Sequence, residues 1–241
     1  MIELPTILIT GAARGLGAFL TERLAANGYA VAIHYRSSQK EAEELKKRIQ
    51  SSGGNAEIFQ GDLSKEQEAN CVMAEVSKTF GRLNALIHNA GNYPDRTLAE
   101  ISEAEWNDGL DSTINAAFFI SRAALPLLRK NSAGRIIYIG DAAGERVGPR
   151  EQALSYHIGK VGVMMLARTL AREEAPHGVT VNVVSPGMLE NSEKLIPAKK
   201  IPAGRYGTFE DVWHPIHWLL SLEANYITGA NIPVSGGWNL K

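Results

Sequence analysis

The sequence predicts an α/β protein built on one doubly wound parallel sheet of about seven strands with helices on both faces. Three features predict it. Short apolar runs alternate with helical stretches along all 241 residues. A glycine-rich turn joins the first run directly to the first helix. No Pro/Gly/Ser linker, repeat or low-complexity tract divides the chain, and 44% hydrophobic residues suffice for one sizeable core. The expectation is therefore a single domain over residues 1–241.

The elements follow in order. Residues 4–9 read as a strand, and Thr10-Gly11-Ala12-Ala13-Arg14-Gly15-Leu16-Gly17 follows at once. Residues 18–27 read as a helix closed by Gly28, and 29–35 alternate as a second strand. Further strands are predicted at 56–60, 85–88, 135–140, 180–184 and 231–234. Helices are predicted at 66–80, 103–130, 155–175 and 208–222. Ligands of such sheets bind at the carboxyl ends of the strands, so the loops after Thr10, His88, Gly140 and Val184 should ring one cleft.

The first unit has the layout of a dinucleotide-binding βαβ. Glycines let the backbone approach a pyrophosphate, and a helix N-terminus offers free N–H groups and the positive end of its dipole. The spacing departs from G-x-G-x-x-G, so the strand before and the helix after carry the reading; the alternative is a plain turn. The cleft residues predicted here are Gly11, Arg14, Gly15, Leu16 and Gly17. NAD sites place an acid at the end of the second strand. This chain has His34-Tyr35-Arg36-Ser37-Ser38 instead. A guanidinium with two hydroxyls suits a 2′-phosphate, and Arg14 adds charge, which predicts NADPH. Asp62 and Leu63, after the third strand, are placed beside the adenine. Ser64 with Gln67 fits a capping box, which would leave Asp62 free.

Composition narrows the class. A net charge of −1 argues against a nucleic-acid partner. No apolar run approaches the roughly 18 residues of a membrane span, and no signal peptide is visible. The single cysteine, Cys71, lies in a helical stretch and is expected to be a small buried hydrophobe in a cytoplasmic protein. No metal site is expected.

Tyr156-His157-Ile158-Gly159-Lys160 sets a phenol and an ammonium one turn apart on a helix. A lysine charge nearby is expected to lower the tyrosine pKa from near 10 and to hold the nicotinamide ribose. Downstream of a dinucleotide unit, this pair marks an acid–base centre.

At this point the chain resembles the short-chain dehydrogenase/reductase family nearly end to end. The residues that carry the resemblance are the 10–17 turn, Asp62, His88-Asn89-Ala90-Gly91, Asn115, Tyr156 with Lys160, Asn182, Pro186-Gly187, and Thr228-Gly229 leading to Gly236-Gly237. The resemblance implies that Asn89, Ala90, Gly91, Pro186 and Gly187 line the cofactor cleft. It makes Tyr156 the proton donor and gives Asn115 a proton-relay water beside Lys160. Read without it, Asn115 could equally bond backbone within its helix.

Asp141 departs from the pattern, because most of the family carries a serine there. An aspartate beside the tyrosine is similar to the pteridine reductases of the same family, in which acid and tyrosine supply protons to ring nitrogens. Burial would raise the pKa of Asp141 for that role. Tyr93 falls where those enzymes stack an aromatic on the pterin. Met188 opens a polar segment, 188–205, expected to be the substrate lid, in which Glu190, Asn191 and Glu193 could meet a pyrimidine edge. The resemblance thus implies NADPH-dependent reduction of a pterin-like C=N bond by a homotetramer packed on the long helices, with Ala116, Ala117, Gly159 and Gly162 permitting close approach between subunits or within one. A 3-oxoacyl thioester reductase is the alternative, with Arg168 and Arg172 facing an acyl carrier protein. A non-catalytic NADPH-binding sensor is the third.

Overall fold

The computed structural model describes residues 4–131, 133–146, 148–192 and 195–240. Seven strands form one parallel sheet: β1 (Thr6–Thr10), β2 (Ala30–Tyr35), β3 (Ala56–Gln60), β4 (Ala85–His88), β5 (Arg135–Ile139), β6 (Thr180–Pro186) and β7 (Asn231–Val234). Their spatial order is β3-β2-β1-β4-β5-β6-β7, and every pairing is parallel. The order reverses between β1 and β4, which opens a crevice at their carboxyl ends.

Helices cover both faces: α1 (Gly15–Ala26), α2 (Gln39–Ser51), α3 (Glu66–Phe80), α4 (Glu103–Leu110), α5 (Ala116–Leu128), α6 (Leu154–Glu174) and α7 (Phe209–Leu220). Strand alternation divides the core in two. Leu8, Leu86, Ile136 and Tyr138 pack under α3, α5 and α6. Ile7, Ile9, Ile137 and Ile139 pack under α1, α2 and α7. Buried on both sides, these strands read as continuous apolar runs.

Four expectations are corrected. Helix α2 lies outside the predicted elements because QKEAEELKKRIQS is charged; only Ala42, Leu45 and Ile49 are buried, a stripe too narrow to register as periodicity. The stretch expected as one helix over 103–130 is interrupted by a π-helical turn at Asp111–Asn115, where the Thr113 hydroxyl donates to the Gly109 carbonyl at 2.6 Å. The capping box at Ser64 does not form. Lys65 caps α3 without a side-chain bond, and the Ser64 hydroxyl donates to Asp62 at 2.7 Å. Cys71 is exposed rather than buried.

The small residues meet their own chain. Gly159 lies against Thr113 and Gly162 against Ile114, so that a Cβ at either would collide or crowd. Ala116 and Ala117 are in the core. Among the described residues, no helix is long and apolar enough to cross a membrane.

Candidate active site

A cleft of about 540 Å³ opens at the switch point. Its wall brings together Gly11, Arg14, Gly15, His34, Tyr35, Arg36, Ser37, Asp62, Leu63, Asn89, Ala90 and Gly91, as the sequence predicts, and adds Asn92, Ser112 and Ala116. Gly11 adopts φ +59°, and a Cβ there would meet the Ala90 backbone at 2.9 Å. Only glycine fits both conditions. The N-cap of α1, Arg14, makes no side-chain cap bond, which leaves first-turn N–H groups available to a pyrophosphate.

Buried polar groups hold this wall. The Thr10 hydroxyl accepts from the Asn89 and Ala90 N–H groups, both at 3.1 Å, and meets His88 Nδ1 at 3.0 Å. The Asn89 amide donates to the Gly11 carbonyl at 3.0 Å. His34 is a strut more than a clamp: its Nε2 donates to the Gly61 carbonyl at 3.0 Å and its Nδ1 accepts from Gly11 N–H at 3.3 Å. Burial lowers His34 to about 4 and His88 to about 3, so both rings are neutral.

Two predicted cleft residues turn elsewhere. Leu16 packs against the core beneath α1, and Gly17 is buried against the Gly11 carbonyl and the Asn89 amide. Pro186, Gly187 and Met188 lie outside the wall of this cleft. Gly187 packs on Ser235, and the Met188 carbonyl accepts from Gly207 N–H at 3.0 Å. The lid segment is anchored by buried Leu189 and Ile201, and Glu193 lies outside the described residues. Asp62 is not free, since Ser64 donates to it through both its hydroxyl and its N–H. Arg36 is engaged as well: its guanidinium donates to Asp108 on α4 at 2.8 Å, and Asp108 also accepts from Asn92 at 2.6 Å. This bridge joins Arg36 and Asn92, both of which lie in the cleft wall.

Tyr156 and Lys160 sit at the inner end, each about 3.5 Å from where a Gly91 Cβ would lie. Helix α6 starts from Ala153, a buried residue at φ +52° whose N–H is held by the Arg96 carbonyl at 3.0 Å. Lys160 Nζ donates to the Ile139 carbonyl at 2.7 Å and lies 5.3 Å from the Tyr156 ring centroid. Burial lowers the ammonium to about 8, against the pull of Asp141.

The electrostatics reverse two expectations. Tyr156 is raised above 10, by burial first and then by the Asp141 carboxylate and Tyr93, so Lys160 does not make it acidic here. The neutral phenol is the form that donates a proton. Burial does push Asp141 upward. Its bonds from His157 and Ala143 N–H and the charge of Lys160 outweigh that push and hold it below the usual carboxylate range. Asp141 is therefore ionised, with Oδ2 2.8 Å from His157 Nδ1 and Oδ1 accepting from Ala143 N–H at 2.8 Å.

Asn115 is also corrected. It is exposed and donates to Asp111 at 2.6 Å. The π turn brings Thr113 inward instead, with its methyl 3.3 Å from a Gly91 Cβ position. Tyr93 does reach the site, with its ring edge-on to Tyr156 at 5.2 Å between centroids. Ser155 is buried against Gly109, away from the strand end. Sequence reading missed His157, Thr113 and Asp108. His157 had a signal in its place beside Tyr156. The other two depend on the π turn and on a contact across 72 residues.

A Rossmann sheet with a tyrosine–lysine pair at the inner end of its nucleotide cleft defines a nicotinamide-dependent oxidoreductase. The family model described as enoyl-(acyl carrier protein) reductase matches residues 11–239. The 3-oxoacyl-[acyl-carrier-protein] reductase FabG of Staphylococcus aureus is 34% identical over 240 residues, covering 95% of this chain and 96% of that one. FabG of Aggregatibacter actinomycetemcomitans is 33% identical over 239 residues, covering 96% and 98%. A short-chain dehydrogenase/reductase from Serratia marcescens superposes with a TM-score of 0.89 at 29% identity, covering 98% of each chain. The actinorhodin polyketide ketoreductase, at 24% identity and a TM-score of 0.89, shares the fold. The chain belongs to the short-chain dehydrogenase/reductase family.

Proposed function

We propose that this protein is an NADPH-dependent reductase of a C=N bond in a flat, pterin-like heteroaromatic. The observation that carries the reading is the ionised Asp141 at the end of β5, with Tyr93 and Tyr156 edge-on to each other beside it. A carboxylate there opposes a developing alkoxide but welcomes the N–H edge of a heterocycle. Tyr93 offers a face for stacking, worth about 0.5–1.5 kcal/mol.

The nucleotide wall fits a dinucleotide through its glycine cradle, the uncapped start of α1, and Arg14 and Arg36. The absence of an acid at the end of β2 favours the 2′-phosphate form. The bound cofactor would supply the hydride. Tyr156 donates the proton from its neutral hydroxyl, and Lys160 keeps a positive charge beneath that ring. Asp141 orients the substrate and accepts its N–H. The assembly is expected to be a homotetramer in which α5 and α6 meet through outward residues such as Phe118 and Met165, which are exposed on the single chain.

The FabG relatives favour a second reading, reduction of a 3-oxoacyl thioester. NADPH oxidation measured side by side with a dihydropterin and a 3-oxoacyl thioester separates the two. The proposed function requires turnover of the dihydropterin, and its loss in Asp141→Ser. Turnover of the thioester alone, preserved in Asp141→Ser, would replace it with the second reading.

A further inference from the structure

One polar group in the site has no part in the proposed chemistry. His157 follows Tyr156 on α6, yet its side chain is only 17% exposed, and its Nδ1 lies 2.8 Å from Asp141 Oδ2. The rings of Tyr93 and Tyr156 meet it edge-on, with centroids 6.0 and 5.5 Å away. An ionised carboxylate can only accept, so Nδ1 carries the hydrogen. In the neutral ring the lone pair then sits on Nε2. No described group bonds Nε2, and the atom is not sealed from solvent.

We propose that His157 selects substrate: with Nδ1–H fastened to Asp141, it presents Nε2 as a hydrogen-bond acceptor to a cyclic amide or amidine N–H on a ring stacked at Tyr93. The inference rests on the heteroaromatic reading above. It deepens that reading by giving the site a second acceptor beside Asp141. Tyr156 supplies a donor, and Asp141 and His157 supply acceptors. A heterocycle that alternates ring nitrogens and N–H groups satisfies all three. A simple ketone has no N–H to offer and leaves His157 Nε2 unpaired when it displaces water, a penalty that discriminates against it.

Two conservative variants separate the ends of the ring. In His157→Asn the amide nitrogen replaces Nδ1 and keeps the bond to Asp141, but nothing replaces Nε2. In His157→Gln the amide reaches the Nε2 position and loses Asp141. With NADPH saturating, His157→Asn should raise KM for a dihydropterin by about tenfold with kcat within about twofold, while KM for ethyl acetoacetate, which has no N–H, stays unchanged. Equal KM for the dihydropterin in wild type and variant would overturn the inference and leave the proposed function standing. If the wild type does not turn over the dihydropterin, the proposed function fails. Fluorescence titration of the pterin then decides this inference: weaker binding to His157→Asn supports it, and equal or absent binding sinks it. Nitrogen-15 NMR of histidine-labelled protein gives a readout independent of activity. The Nδ1–H tautomer at His157 is expected, and an Nε2–H tautomer would overturn the assignment.

Discussion

The two ends of the cleft are built by opposite means. The nucleotide end is made of backbone and of neutral polar groups that brace it: Thr10, Asn89, His34 and His88 all hold main chain or each other. The substrate end is made of charge: an ionised Asp141, a partly depressed Lys160 and a phenol that burial first, and then the carboxylate, keeps protonated. A pyrophosphate common to every dinucleotide suits the glycine turn and the free N–H groups at the start of α1. Charge placement chooses the substrate, and there this chain departs from the serine that its family resemblance implies.

The contrast can be broken most strongly at the proton donor. Tyr156→Phe should lower kcat by about 10²–10⁴-fold, because it removes the hydroxyl that donates the proton. Nucleotide affinity, read by fluorescence titration, should barely change, and a matching loss of affinity would mean that the two ends are not separable.

Acid attacks the nucleotide end instead. The folded pKa values of His34 and His88, about 4 and about 3, lie below the 6.5 of an unfolded histidine. The unfolded chain therefore takes up protons first as pH falls. The stability these neutral rings contribute is complete above about pH 6.5 and is lost progressively towards pH 4 and then 3, roughly 3 kcal/mol for His34 and roughly 5 kcal/mol for His88. Circular dichroism should show the acid midpoint of His88→Asn displaced to lower pH than wild type. An unmoved midpoint would show that His88 is not buried neutral.

A smaller effect tests shape at the same end. Gly17→Ala places a methyl against the Gly11 carbonyl and about 2.7 Å from the Asn89 amide, and should cost about 1–3 kcal/mol of stability along with nucleotide affinity. Calorimetry would measure both, and an unchanged Tm would mean that the turn yields easily.

Charge intrudes on the nucleotide end at one exposed pair. Arg36 and Asp108 form a half-exposed pair worth up to about 1 kcal/mol, which a 2′-phosphate must displace. Asp108→Asn should tighten NADPH binding by up to about fivefold in calorimetric titration without changing NADH. Equal gains for both cofactors would place the phosphate contact elsewhere.

Legibility followed the same division. The strands, and the elements that place Gly11, Arg36 and Asn89, could be read from apolar runs and local turn chemistry. Asn115 could not be placed, because the resemblance sets it beside Lys160, whereas the π turn shifts the register, leaves Asn115 exposed and turns Thr113 inward. Cys71 and the narrow stripe of α2 failed for a related reason: burial depends on what packs above a helix, not only on its own pattern.

The doubly wound sheet, the glycine turn and the tyrosine–lysine pair follow from local sequence, because apolar runs, φ-permissive glycines and helix spacing act over a few residues. Tertiary structure alone decided the protonation of the site. Whether Tyr156 is acidic and Asp141 neutral depends on burial and on partners such as His157, 16 residues away along the chain and 2.8 Å away in space. Those energies depend on distance through the fold, which local sequence does not specify.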